Sequence, residues 1–228
     1  MANKEAYSWA VPPELGIPAD PLRLRLDFHH QAVVMTLFEE ETSNTRVVSA
    51  YDVAHAMAKE LSFDTGLLPS NTLWWKNTRE GPTTALYIEP KIRTLALQEL
   101  VQSPPRRFTV PLPGFIFICM PGRPPWVYAV KKKPTKEKDV VYKAPLSNLH
   151  ENGKSCPGNH RYPTRVQDIP ESFFISFFTT TDNLTNRSKM FPSNITLLWE
   201  ALDKKKRFPK DDMVRHGTIR DLMDMELR

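Results

Sequence analysis

The sequence predicts an α+β fold, and three observations carry the prediction. Five short, β-rich apolar runs lie between Thr84 and Val130, set apart by prolines. Segments of helical period stand before and after that run, and not between its members. A stretch from 144 to 170 has no period of either kind. Strands gathered in one part of the chain and helices in another make α+β rather than an alternating parallel sheet.

In chain order, Leu22, Leu24, Leu26 and Phe28 alternate with Arg23, Arg25 and Asp27, the pattern of a half-buried strand. Residues 33–38 answer it, so an extra N-terminal strand pair is expected over 22–40. Ser49 then stands as a helix N-cap with Asp52 three residues on. Val53, Ala54, Met57, Ala58 and Leu61 share one face of that helix. Residues 66–82 read as a loop around Trp74 and Trp75. The strand candidates follow at 84–88, 94–98, 108–111, 115–120 and 126–130, and their spacing suggests one antiparallel meander. Residues 131–143 turn polar and read as a loop. The stretch 144–170 reads as a long irregular loop, which in a compact domain is usually functional. Asp168 with Pro170 opens a helix that buries Phe173, Phe174, Phe177 and Phe178. Ser193 caps another, with Ile195, Leu198, Trp199 and Leu202 inward. A short last helix starts at Thr218 and carries Ile219, Leu222 and Met223. Residues 1–45 are thus an extension bearing the strand pair, and 46–228 the core domain.

Composition sets the class. At 228 residues the chain can bury a core without staples. Its 40% hydrophobic and 25% charged residues are ordinary for a globular protein. Proline is not: 21 against 8 glycines is about twice the usual share, and it punctuates short elements. Residues 1–15 lack the apolar core of a secretory signal, and the longest apolar run, near 115–120, is too short to span a bilayer. Two cysteines, Cys119 and Cys156, give no disulfide framework, so a reduced cytoplasmic protein is expected. The Asn-X-Ser/Thr matches at Asn183, Asn186 and Asn194 then carry no consequence. Neither His29-His30 nor His150 stands at ligand spacing, and no metal or other cofactor is called for. The basic run 131–133 with Lys136 and Lys138, and the run 204–207, stand out in a chain of net charge +5. No nucleic-acid-binding signature accompanies them, so solvated or protein-docking faces are the better reading.

The chemistry concentrates in one loop. Asn152-Gly153 is a turn dipeptide that folds Asn148 back toward Cys156, eight residues later. The arrangement resembles ubiquitin-conjugating enzymes, in which His-Pro-Asn, a short turn and the catalytic cysteine follow at that spacing. With Tyr142 to Asn148, Gly158-Asn159, Leu198-Trp199 and Arg207-Phe208-Pro209, it is similar to the prokaryotic ubiquitin-conjugating-like family D. Protein B of the PRTRC systems belongs to that family. The chain departs from the motif at Leu146 and Ser147, where His and Pro would stand, and in Pro157-Gly158 after the cysteine. The acidic residue that receives the incoming lysine in many members has no clear counterpart, Asp182 being the one candidate.

What the resemblance implies is a ubiquitin-conjugating-like fold and an acyltransferase. Cys156 would hold a ubiquitin-like protein as a thioester, delivered by a ThiF-type adenylating enzyme, with a JAB-type metallopeptidase in the same system. A thioester carrier needs a thiolate that attacks and later leaves. Lys154, His160 and Arg161 can steady it modestly. An Asn amide aimed at the tetrahedral oxyanion would contribute about 3–4 kcal/mol. The catalytic candidates are therefore Cys156, Asn148 and His160. Two other classes fit the same residues: a non-catalytic binding module with an inert Cys156, and a thiol hydrolase built on Cys156 and His160.

Overall fold

The computed structural model describes residues 22–30, 32–39, 42–60 (backbone alone for 56–60), 65–78, 80–100, 102–156, 158–180 and 184–227. Leu61, the side chains of Met57 and Ala58, and residues Pro157, Asp182 and Asn183 lie outside that set. The chain is α+β, with antiparallel sheets and few helices. It falls into two compact units, one within residues 1–66 and the other within 67–228.

The first unit holds β1 (Leu24–Phe28), β2 (Val33–Glu39), β3 (Thr42–Val48) and α1 (Ala50–Glu60). The expected strand pair is present, Leu26 facing Met35, but β3 adds a third strand on the far side of β2. Ser49 caps α1 as expected, its Oγ accepting from the Tyr51 amide at 3.1 Å.

The second unit is built on a six-stranded antiparallel sheet in the order β12-β10-β9-β8-β5-β4. These strands are β4 (Thr72–Thr78), β5 (Gly81–Ile88), β8 (Gly114–Cys119), β9 (Trp126–Val130), β10 (Val140–Lys143) and β12 (Arg215–Thr218). A smaller sheet, β11-β6-β7, joins β6 (Lys91–Gln98), β7 (Arg106–Leu112) and β11 (Phe177–Thr179). All five expected strands form, but not as one meander: β6 and β7 leave the main sheet, and β5 pairs directly with β8. Buried on both faces, β8 sends Phe115, Phe117 and Cys119 into one core and Ile116 and Ile118 into the other. Helices α2 (Ile169–Ile175) and α3 (Ile195–Leu202) and the smaller sheet fill the first core. There Phe173 meets Phe117 edge-on at 5.5 Å, a favoured aromatic geometry. The second core is closed by α4 (Ile219–Asp224).

Several expectations are corrected. Residues 66–82 are not a loop: Trp74 and Trp75 sit in β4, which pairs with β5 across a tight turn. The polar stretch 131–143 ends in β10. Phe177 is not on a helix face but in β11, exposed, while Phe178 is buried. The apolar run continues past the helix because β11 adds parallel to β6. Asn194, not Ser193, caps α3, its Oδ1 accepting from the Thr196 amide at 2.9 Å. Asp168 makes no side-chain cap; it ends a short 3-10 turn that runs into α2. Thr218 does open α4, through a reciprocal capping box with Asp221.

Candidate functional site

The loop of interest leaves β10 through the core. Ala144, Leu146, Ser147 and Leu149 are all fully buried, so the two positions where His and Pro were missing are core positions here. The chain then turns at Asn148, whose φ of 58° lies in the left-handed region that Asn tolerates better than most residues.

The Asn148 carboxamide is committed to β11. Its Nδ2 donates to the Phe177 carbonyl at 2.8 Å, and its Oδ1 accepts from the Thr179 amide at 3.0 Å and hydroxyl at 2.8 Å. Its main-chain carbonyl accepts the Cys156 N–H at 2.8 Å. The two flanks then zip together: Leu149 bridges Ser155, and the His150 amide donates to Lys154 at 2.8 Å. The Asn-Gly turn closes the hairpin, the Gly153 amide donating to His150 at 2.9 Å. Gly153 has φ 81°, and a Cβ there would sit 2.7 Å from the Tyr128 ring. Asn152 does not share the positive φ; its Oδ1 accepts from the Lys154 amide at 3.1 Å.

Two groups of contacts fix this hairpin from outside. On the sheet side, Val127 donates to Gly153 and Ser155 donates to Pro125, each at 2.8 Å, and the Tyr128 hydroxyl reaches the Asn152 carbonyl. On the helical side, the fully buried Arg187 donates to the carbonyls of Ala144, Leu149 and His150. Burial pulls its guanidinium down to about 10, so it stays charged at neutral pH. Trp199 completes the clamp, its indole N–H on Pro145 at 2.9 Å.

Of the two free cysteines, Cys119 is sealed in β8, where burial drives its thiol far above the ordinary range. Cys156 is half-buried at the end of the hairpin. Beside it, the Ser155 hydroxyl meets the buried Tyr162 hydroxyl at 3.2 Å. Burial raises the Tyr162 phenol, and the negative charge of a Cys156 thiolate raises it further. His160 approaches through the same residue: its ring packs edge-on to Tyr162 at 4.8 Å, and its Nε2 bonds the Ser172 hydroxyl at 2.8 Å. Arg161 is exposed, and Lys154 lies over the Trp126 ring at 5.2 Å.

Asn148 and Cys156 are therefore brought together, through main chain. His160 reaches the cysteine loop by way of Tyr162 and Ser155. Sequence reasoning missed Arg187, Tyr162 and Thr179. Arg187 bonds backbone carbonyls and Thr179 lies in an unrecognised strand, so neither leaves a pattern in the sequence. Tyr162, six residues past Cys156, was the findable one. Among the described residues no group of His, Cys, Asp and Glu could hold a metal ion, and no helix is long and apolar enough to cross a membrane.

A search of curated proteins found no match, and neither did a search of solved structures. The model of prokaryotic E2 family D matches residues 47–216, which is well over half of the chain and includes the whole cysteine hairpin, and the chain belongs to that family.

Proposed function

We propose that this chain is a thioester carrier of the ubiquitin-conjugating kind, acting in the cytoplasm on a ubiquitin-conjugating-like fold. The single observation that supports it most is the placement of Cys156: a half-buried thiol at the end of a hairpin that Asn148 and Arg187 lock onto the core. A rigid, accessible sulfur suits a reaction with a bulky protein donor, because positioning contributes much of the rate.

In the first step the Cys156 thiolate attacks the thioester carbonyl that joins the ubiquitin-like protein to the adenylating enzyme. The new C–S bond forms at Cys156 Sγ, and the donor's C–S bond breaks with release of its thiolate. In the second step an amine attacks the Cys156 thioester, the Cys156 thiolate leaves, and the amine proton passes to solvent or to a base on the acceptor. Asn148 acts as a positioning residue, since its carboxamide is occupied by β11. Tyr162 meets the cysteine loop at Ser155, and His160 packs on Tyr162, so the two rings support the loop that carries the sulfur. A ThiF-type enzyme supplies the cargo, and a JAB-type metallopeptidase is the matching reversal activity.

The test is a loading reaction with ATP, the adenylating partner and the ubiquitin-like protein. An adduct that dithiothreitol cleaves is expected, because excess small thiol exchanges with a thioester and not with an amide. Cys156→Ala should abolish it, and Cys119→Ala should leave it intact. Full loading of Cys156→Ala would end the assignment. No adduct from a partner set shown to be active would assign the chain to non-catalytic binding.

A further inference from the structure

The second unit carries an apolar groove ringed by cations. Two adjoining hollows, of about 480 and 520 Å³, share Lys206, Arg207 and Phe208 as the ridge between them. Ile92, Pro111 and Leu112 line the first, and Met190, Phe191 and Leu202 the second. Ile92 is 49% exposed and Met190 64%, so each hollow presents apolar surface to water. Lys91, Lys205, Lys206, Arg207 and Lys210 stand around them, all exposed. No acidic residue lines either hollow. Among the described residues none of these five cations makes an ion pair, although nine ion pairs occur elsewhere.

The ridge is also held in place. Lys204 adopts φ 60°, an uncommon conformation for a lysine, and its amide donates to Thr109 in β7 at 2.8 Å. Asp203 accepts the Thr109 amide at 2.7 Å, and the Lys205 amide closes on Leu202 at 2.9 Å. The basic run therefore leaves α3 on a fixed path, where a merely solvated run would need no such anchorage.

We propose that this double hollow docks an acidic segment of a partner protein bearing two apolar anchors, one for each hollow. Unpaired cations of one sign around a groove attract and orient an acidic partner. The apolar floor supplies the burial that charge alone does not. The same floor argues against nucleic acid: it is mainly aliphatic and proline, with Phe191 and Phe208 its two aromatics, so a run of bases finds no row of rings to stack on. The proposal is independent of Cys156 and stands or falls without it.

The experiment selects a random-sequence peptide display library against the full chain. Recovered peptides should be enriched in Asp and Glu with two apolar positions. A fluorescent synthetic peptide of the consensus should then bind at least about tenfold more weakly to Lys206→Glu/Arg207→Glu and to Ile92→Ser, and its binding to the native chain should weaken with added salt. Circular dichroism checks that both variants fold; their changes lie on exposed side chains. A lack of acidic enrichment, or unchanged affinity in both variants, would overturn the proposal. Tighter binding of a single-stranded oligonucleotide than of the peptide would also overturn it, in favour of a phosphate-binding surface.

Discussion

Asn148 and Cys156 are joined by a main-chain hydrogen bond of 2.8 Å, from the cysteine N–H to the asparagine carbonyl. The eight-residue separation between them is thereby the length of one closed hairpin, and the carboxamide of Asn148 is left to tie that hairpin to β11. In this chain the asparagine acts as a brace.

Asn148→Ala removes three hydrogen bonds and puts a Cβ-branched-free but still unfavourable residue at φ 58°. At about 1 kcal/mol for each bond, a loss near 2–3 kcal/mol is expected. Thermal melting should fall by roughly 4–12 °C for a unit of this size. An unchanged melting temperature would overturn the bracing role.

Arg187→Met keeps the buried stem and removes the donors, leaving the carbonyls of Ala144, Leu149 and His150 short of partners. The expected cost is about 3–4 kcal/mol. Trypsin should then cut after Lys154 faster than in the native chain, where the closed hairpin is expected to protect that bond. Arg187→Lys should fall between the two, because one ammonium spans fewer carbonyls than a guanidinium fork. Continued resistance at Lys154 in Arg187→Met would show that the sheet side alone holds the loop.

Two glycines of the loop separate strain from crowding. Gly158 has φ 50° and open space around it, so Gly158→Ala meets only the left-handed penalty of about 1–2 kcal/mol. Gly153→Ala meets the same penalty and the Tyr128 ring at 2.7 Å. Urea unfolding should place Gly153→Ala clearly below Gly158→Ala. Equal midpoints would mean that the ring moves aside at no cost.

His216 gives the fold a pH dependence near neutrality. Its ring lies 4.9 Å from Tyr128, and burial, helped by the Lys143 charge, holds its imidazole below the ordinary 6.5. The unfolded chain therefore takes up this proton first, and stability falls as pH drops below about 6.5. The melting temperature should decline between pH 7 and 5.5, and His216→Phe should flatten that decline. A further loss should begin only below about 4.5, where Glu151 and Glu171 lose the charges that Lys143 and Arg93 stabilise. A native curve flat across pH 7 to 5.5 would dismiss His216 as its source.

Much of this was legible in the chain. The proline-bounded runs at 84–130 became strands because each carries enough apolar residues to be buried on its own account. The Asn148-to-Cys156 spacing gave the hairpin, since turn chemistry is local. The elements that escaped depend on distant partners. Arg215 to Thr218 is polar and becomes β12 only because β10 offers it an edge. Trp74 and Trp75 lack alternation, and β4 forms by pairing across the turn at Gly81. Phe177 continues a helical apolar run and is a strand because β6, some eighty residues earlier, accepts it in parallel. Arg187 is a lone arginine until three carbonyls converge on it.

The order of these partners along the chain has a consequence for biosynthesis. Thr179, Arg187 and Trp199, which hold the cysteine hairpin and the chain leading into it, all follow it in the sequence. A growing chain emerges amino terminus first, so the sulfur leaves the ribosome before the residues that will fix its loop. A product arrested short of Trp199 bears the thiol on an unfinished support, and loss of the carboxy-terminal fifth of the protein would strip the hairpin of Arg187 and Trp199 without altering one atom of Cys156.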